Sequence, residues 1–197
     1  MIKNKDRSKW FGASDTAIIM SDFDTKTFRK WWLIKLGVVS NSFSNLYTFV
    51  GSEKEHQILR RVAENTGRDI KFDEQVKIRR YRLRVNFDGT TKDSIEEVKT
   101  TMLENVKKAL NNEAYIQQIN VEMFAKKLDT AELWVYGLVD EDYKNIFLEI
   151  DDERLFKKVV KRDNEFLARY LKRLKYLCYC LKKRLMPSKN GFMRWTK

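Results

Sequence analysis

The amino-acid sequence predicts an α/β (α+β) fold, in which one sheet is accompanied by helices. Apolar residues recur at helical spacing over the first third of the chain. Between residues 70 and 100 the pattern changes to alternation of apolar and polar residues, which is typical of strands. Helical spacing then returns around further apolar runs. One proline and seven glycines among 197 residues also favour long regular elements over loops.

Local signals define the first three helices. Ser14 is a good N-cap for a short helix over 14–20. A second helix is expected over 25–36 and ends at Gly37. A third, over 46–65, is closed by Gly67 at the position after its C-cap.

The sheet is expected from four period-two segments, which we interpret as one antiparallel meander. Asp88-Gly89 is a strong turn signal between the last two of them. The four segments lie near 70–72, 75–78, 81–87 and 94–100.

The C-terminal half is expected to hold two helices, two strands and a final long helix. The helices cover 102–110 and 113–127, and the strands cover 131–138 and 143–150 around a turn at 140–142. An amphipathic helix over about 152–185 ends before Pro187. We therefore expect one domain over 1–197, with a core at about 7–150 and the long helix after it.

Charge and composition restrict the function classes. Lys and Arg number 40 against 28 acidic residues, and the net charge of +12 favours a polyanionic partner such as nucleic acid over a merely solvated basic surface. Two cysteines, Cys178 and Cys180, cannot hold an iron–sulfur cluster, and we expect them to be reduced. No apolar stretch approaches the ~20 residues of a membrane span. We therefore expect a cytoplasmic protein without a membrane segment.

The most informative stretch combines two carboxylates and a lysine. Glu97 and Lys99 point to the same face of a strand, and Asp88 precedes that strand at the predicted hairpin turn. Carboxylate oxygens are the ligands that Mg²⁺ prefers, and the backbone carbonyl of Val98 could add another. Such a site hydrolyses phosphodiesters with a metal-activated water and a lysine beside it. The alternative is cross-strand ion pairing on a solvated sheet face.

Three further features favour the catalytic interpretation. Glu55 follows Gly51 within the third helix, and Tyr115 and Gln118 share one helix face at a spacing of three. Near the start, Arg7 precedes Ser14 at a helix N-terminus, where a guanidinium and backbone N–H groups would hold a terminal DNA phosphate.

These motifs together resemble the YqaJ-type viral recombination nucleases, the family of the bacteriophage lambda exonuclease, within the PD-(D/E)xK nuclease superfamily. The resemblance runs from Arg7 to the C-terminal helix and rests on five motifs in the family's order. They are Arg7 with Ser14, Gly51-x-x-x-Glu55, Phe87-Asp88-Gly89, Glu97-Val98-Lys99-Thr100 and Tyr115-x-x-Gln118. Phe87 replaces the family's proline and Thr100 its common cysteine, and neither position supplies a side-chain ligand.

The resemblance implies a restriction-endonuclease-like core, with a mixed central sheet between helices, and a function. The expected catalytic residues are Asp88, Glu97, Lys99, Glu55, Gln118 and Tyr115. The expected ligands of Mg²⁺, with Mn²⁺ as a substitute, are Asp88, Glu97, Val98 and Glu55. Arg7 and Ser14 are expected to bind the 5′ phosphate. The implied activity is 5′-to-3′ digestion of linear double-stranded DNA from an end, which leaves a 3′ single strand for viral or prophage recombination. The implied partners are a single-strand annealing protein and two further copies of the chain in a homotrimer.

Two other functions remain open from the residues alone. A Cas4-like single-strand nuclease shares the fold, but the sequence lacks that branch's four cysteines. A DNA-binding protein with a vestigial nuclease site would not need Asp88, Glu97 and Lys99 intact. His56 could reach the metal or be satisfied within its helix, and Trp10 or Trp195 could stack on a displaced base.

Overall fold

A computed structural model describes residues 8–39 and 46–196, and both helices and strands occupy this part of the chain. The helices are α1 (Thr16–Met20), α2 (Lys26–Lys35), α3 (Leu46–Thr66), α4 (Val106–Leu110), α5 (Glu113–Lys126), α6 (Asp140–Lys144), α7 (Asn164–Lys183) and α8 (Lys189–Trp195). The strands are β1 (Lys71–Phe72), β2 (Gln75–Ile78), β3 (Leu83–Asn86), β4 (Gly89–Thr90), β5 (Ile95–Met102), β6 (Thr130–Leu138) and β7 (Leu155–Lys161). No helix among these residues is both long enough and apolar enough to cross a membrane.

The main sheet has five strands in the order β1-β4-β5-β6-β7. β5 and β6 are parallel, and every other neighbouring pair in it is antiparallel. β2 and β3 form a separate antiparallel ribbon. The expected mixed sheet between helices is therefore confirmed, whereas the expectation of a single antiparallel meander over 70–100 is wrong. The period-two pattern indicates strands but leaves their pairing partners open.

Both faces of the main sheet are covered at β6, which lies between β5 and β7, because its side chains alternate between two hydrophobic clusters. Leu133 and Val135 join the cluster that includes residues of α1, α5 and α7. Trp134 and Tyr136 join the cluster that includes residues of α3. The sheet is thus a layer between helices.

The first three helices form close to their predicted positions, although α1 begins only at Thr16. The Thr25 side chain caps α2 by accepting from the Phe28 N–H. Gly37 and Gly67 follow α2 and α3 with φ of 73° and 67°, a conformation that glycine adopts without a Cβ penalty. Downstream, the predicted helix over 102–110 is shorter than expected, since β5 continues to Met102 and α4 begins at Val106.

The predicted strand over 143–150 is wrong. The predicted turn at 140–142 instead belongs to the short helix α6. Its Asp142 is fully buried between Lys54 of α3 and Arg154, at 3.0 and 2.6 Å. These partners are distant in sequence, so no local pattern indicates them.

The single long helix predicted over 152–185 is also wrong, because its first part is strand β7 and α7 begins only at Asn164. Asp163 caps α7 by accepting from the Phe166 N–H, in an extended backbone conformation that a continuing helix would not allow. Phe156 and Val159 are spaced three apart and mimic a helical stripe, yet both are exposed on the edge strand. Pairing with β6 makes this segment a strand.

Candidate metal centre

β5 carries two of the predicted site residues on one face, as alternation requires. Glu97 and Lys99 point to that face, and the Lys99 ammonium donates to the Glu97 carboxylate. Val98 points to the opposite face and packs in the cluster with α3. Glu97 is only 1% exposed, so this is not the solvated ion pair that the alternative interpretation required.

Asp88 lies beside Glu97 and Lys99, as predicted, but the backbone around it does not form the predicted hairpin turn. It lies between β3 and β4, and its Oδ2 accepts from the Val98 N–H at 3.0 Å. The expected hairpin turn at Asp88-Gly89 is wrong, because Gly89 pairs with Glu96 as part of β4. A Cβ at Gly89 would lie 2.8 Å from Ile70 Cγ2, so close packing, rather than a turn, requires this glycine.

α5 adds the predicted Gln118 and an acid that sequence reasoning missed. Gln118 donates through its amide to Glu97, and also to Glu122 at 2.9 Å. Glu122 is completely buried. A usable signal existed, since Glu122 lies within an apolar run and is four residues after Gln118, on the same helix face. Tyr115, also on α5, places its ring 5.5 Å from the Lys99 ammonium.

α3 contributes Glu55 beside a second small group of metal-ligand types. Ligand atoms of Glu55, His56 and Asp73 all lie within 4.8 Å of one another. His56 Nε2 is 3.3 Å from Asp73 Oδ2, and its ring stacks on Phe72. These contacts satisfy the imidazole and support the interpretation of His56 as a helix residue with its own partners.

The carboxylates perturb one another strongly. Burial, together with repulsion from Glu97, raises the pKa of Asp88 to about 8. Burial and the nearby Glu122 raise the pKa of Glu97 to about 8. Burial and the charge of Asp88 raise the pKa values of Glu122 and Glu55 to about 7. These acids are therefore partly protonated near neutral pH unless a cation joins them.

Lys99 shows the opposite balance. Burial lowers the pKa of its ammonium, but the carboxylates of Glu97 and Asp88 more than offset this effect and leave the pKa above its usual value. Lys99 therefore stays charged at every pH at which the protein would work.

The donor set fits a hard divalent cation. Among the described residues, Glu97 Oε2 and Glu122 Oε2 are buried carboxylate oxygens without a hydrogen-bond partner. Such atoms are costly unless a ligand satisfies them. Four neighbouring carboxylates and one ammonium leave an excess of negative charge, which a metal such as Mg²⁺ would neutralise.

The predicted phosphate pocket is described only in part, because Arg7 lies outside the described residues. Ser14 is exposed and lines the same cleft of about 280 Å³ as the acids. Its predicted role as N-cap is wrong, because α1 begins at Thr16 after a 3₁₀ turn over Ala13–Asp15. Asp15 accepts the Gly12 N–H at 2.7 Å and closes this turn, so the capping contact comes from the next residue.

Of the two tryptophans proposed to stack on a base, only Trp10 lies at the cleft. Trp10 lines the cleft that contains the acids, where a base could stack on its ring. Trp195 packs on Tyr176, with ring centroids 5.9 Å apart, which favours a packing role. Cys178 and Cys180 are free thiols, as expected.

Comparison with known proteins identifies solved structures of the same fold. No protein-family model matches the sequence, and no curated protein matches it. An alkaline exonuclease (LHK-Exo) from Laribacter hongkongensis is 16% identical, with a TM-score of 0.72 over 90% of each chain. The structure of LHK-Exo in complex with dAMP is 18% identical, with a TM-score of 0.74 over 90% of each chain. A phage-related exonuclease from Haemophilus somnus 129PT is 15% identical, with a TM-score of 0.65 over 89% of this chain and 94% of that one. The chain therefore has the fold of these exonucleases, and the fold that the five motifs implied is confirmed.

Proposed function

We propose that the protein is a metal-dependent deoxyribonuclease that hydrolyses phosphodiester bonds at the acid cluster, which consists of Glu55, Asp88, Glu97 and Glu122. The observation that carries the proposal is the convergence of Asp88, Glu97 and Glu122 with Lys99 in one cleft, where two buried carboxylate oxygens lack a partner. The shared fold with structures named as exonucleases supports the same class of activity.

Each residue has a chemical role in this proposal. Asp88, Glu97 and Glu55, with the Val98 carbonyl, would hold Mg²⁺, with Mn²⁺ as a substitute. The bound metal would supply an activated water and polarise the phosphoryl oxygen. Lys99 would orient that water or stabilise the negative charge that develops on the phosphate.

Residues of α5 would hold these groups in place. Gln118 donates to both Glu97 and Glu122, so it fixes the position of the Glu97 carboxylate. Tyr115 covers the Lys99 ammonium and limits where it can move. Glu122 adds a carboxylate to the set that the sequence motifs indicated.

We further propose that the enzyme degrades linear duplex DNA 5′ to 3′ from an end and leaves a 3′ strand for viral or prophage recombination. The five-motif resemblance supports this direction, together with a homotrimer, a single-strand annealing protein as partner, and action in the host cytoplasm. A complex with dAMP exists for LHK-Exo, and a nucleotide of this kind is the product expected here.

Digestion of an end-labelled linear duplex beside a closed circle tests the function. We expect Mg²⁺-dependent shortening of the linear duplex and an intact circle. Asp88→Asn and Glu97→Gln should each lower the rate by more than about 100-fold, because each removes a charged ligand. Glu113→Gln, an exposed acid of α5, is the matched control and should keep the rate.

Three results would contradict the proposal. Folded Asp88→Asn and Glu97→Gln proteins with wild-type rates would remove these residues from the site. Equal rates on circles and linear DNA would exclude an end-directed enzyme, and digestion of single strands alone would favour the Cas4-like alternative.

A further inference from the structure

A buried arginine of β3 opens into the cleft and is not used by the proposed chemistry. Leu83 and Val85 point into the hydrophobic core, so Arg84 between them points to the other face of the strand. Arg84 is only 7% exposed, and it lines the cleft that contains the acids.

Among the described residues, no carboxylate lies within ion-pair distance of Arg84, and its guanidinium takes part in no side-chain hydrogen bond. The other buried cations in the described part of the chain behave differently. Lys35 is 2.6 Å from Asp15, and Lys54 is 3.0 Å from Asp142. A guanidinium cannot lose its proton, so Arg84 keeps its charge in a nearly buried position without a direct ion-pair partner among the described residues. Buried charges are normally paired, which points to an anion supplied from outside the chain.

The surroundings of Arg84 fit a nucleic-acid strand. Lys77 is its cross-strand neighbour in the ribbon, and the Lys77 ammonium lies 5.9 Å from the ring of Trp10. Trp10 lines the same cleft. The ribbon segment 75–86 contains five cationic residues and no acidic one. Cations interleaved with an aromatic ring are a typical track for a DNA backbone.

The distance along β3 indicates which phosphate would be bound. Asp88 lies four residues after Arg84 and beyond the end of β3, so the chain between them spans at most about 13 Å at roughly 3.3 Å per residue. Both residues line the same cleft, but no described carboxylate of the acid cluster is within ion-pair distance of the Arg84 guanidinium, which favours a neighbouring phosphate over the one at the acids. We propose that Arg84 binds a phosphate of the substrate strand other than the scissile one, with Lys77 and Trp10 beside it. This inference rests on the proposed function.

Binding to a short duplex in EDTA tests the proposal without catalysis. Arg84→Gln should raise the Kd about tenfold and reduce the slope of log Kd against log salt by about 1, because one phosphate contact is lost. Arg84→Lys should keep the slope but lose part of the affinity, since an ammonium cannot make a forked pair. Arg194→Gln, an exposed arginine of α8 that does not line the cleft, is the matched control and should change affinity less than Arg84→Gln.

Two duplexes, with 5′-phosphoryl and 5′-hydroxyl ends, identify the phosphate. If Arg84→Gln loses affinity only for the 5′-phosphoryl duplex, Arg84 binds the terminal phosphate. If it loses affinity equally for both duplexes, Arg84 binds an internal phosphate. Folded Arg84→Gln with wild-type Kd and slope on both duplexes would overturn the proposal. If Arg84→Gln does not fold, a folded Arg84→Lys with wild-type affinity on both would overturn it too, because the role of Arg84 would then be structural. If the wild-type protein binds DNA in this way but does not hydrolyse it with Mg²⁺, the proposed nuclease function is refuted, whereas the Arg84–phosphate contact is still supported.

Discussion

Replacement of Glu122 by glutamine should stabilise the metal-free protein, and only at higher pH. Glu122 is fully buried, and its pKa rises from 4.5 to about 7 through burial and the charge of Asp88. A folded state that raises the pKa of an acid holds the proton more tightly than the unfolded chain. The resulting stability is fully present below pH 4.5 and is lost as the pH rises through 7.

The size of the effect follows from the same values. Each pKa unit corresponds to about 1.4 kcal/mol, so an ionised Glu122 costs the metal-free protein roughly 3 kcal/mol at pH 8.5. Glutamine has nearly the same shape and keeps an oxygen that can accept from Gln118. Glu122→Gln should therefore gain up to about 3 kcal/mol in free energy of unfolding at pH 8.5 and almost nothing at pH 4.5.

Urea unfolding in EDTA at the two pH values measures this difference. With Mg²⁺ added at pH 8.5, the wild type should gain more stability than the variant, because the metal binds the folded state and loses a neighbouring charge in Glu122→Gln. Glu113→Gln is the control, and its exposed acid should give the same small change at both pH values. Equal stability of Glu122→Gln and wild type at pH 8.5 would refute the reasoning, since it would mean that the buried carboxylate carries no charge penalty.

Three other changes probe the proposed catalytic role of Lys99 and the packing around the main sheet. Lys99→Ala should lose catalysis but still take up Mg²⁺ in a calorimetric titration, because its ammonium acts on water or phosphate; loss of metal uptake as well would indicate a structural role. Gly137→Ala should destabilise the protein by about 1–3 kcal/mol, measured by urea unfolding, because the new Cβ would lie 2.5 Å from Leu103 Cδ1; an unchanged midpoint would show that Leu103 moves aside freely. Lys54→Met should cost about 3–5 kcal/mol in the same assay, because it leaves Asp142 with one buried partner fewer; a cost below about 1 kcal/mol would contradict the importance of this pair.

The sequence alone determined the parts of the fold that depend on near neighbours. Caps and glycines located α2 and α3, since a helix ends where a residue such as Gly37 can adopt a positive φ. Alternation along one strand placed Glu97 and Lys99 on a common face without any knowledge of the strand's partners. The shared helix face of Tyr115 and Gln118 followed in the same way from the helical repeat.

Only the tertiary structure decided the features that depend on partners distant in the chain. β7 is a strand because it pairs with β6, although its apolar spacing resembles a helix. Glu122 is a member of the acid cluster because α5 packs over β5, and Arg84 faces the cleft because β2 and β3 pair apart from the main sheet. Spacing describes which side of its own element a residue occupies, but the charge, burial and hydrogen bonds it meets there come from elements that only folding brings together.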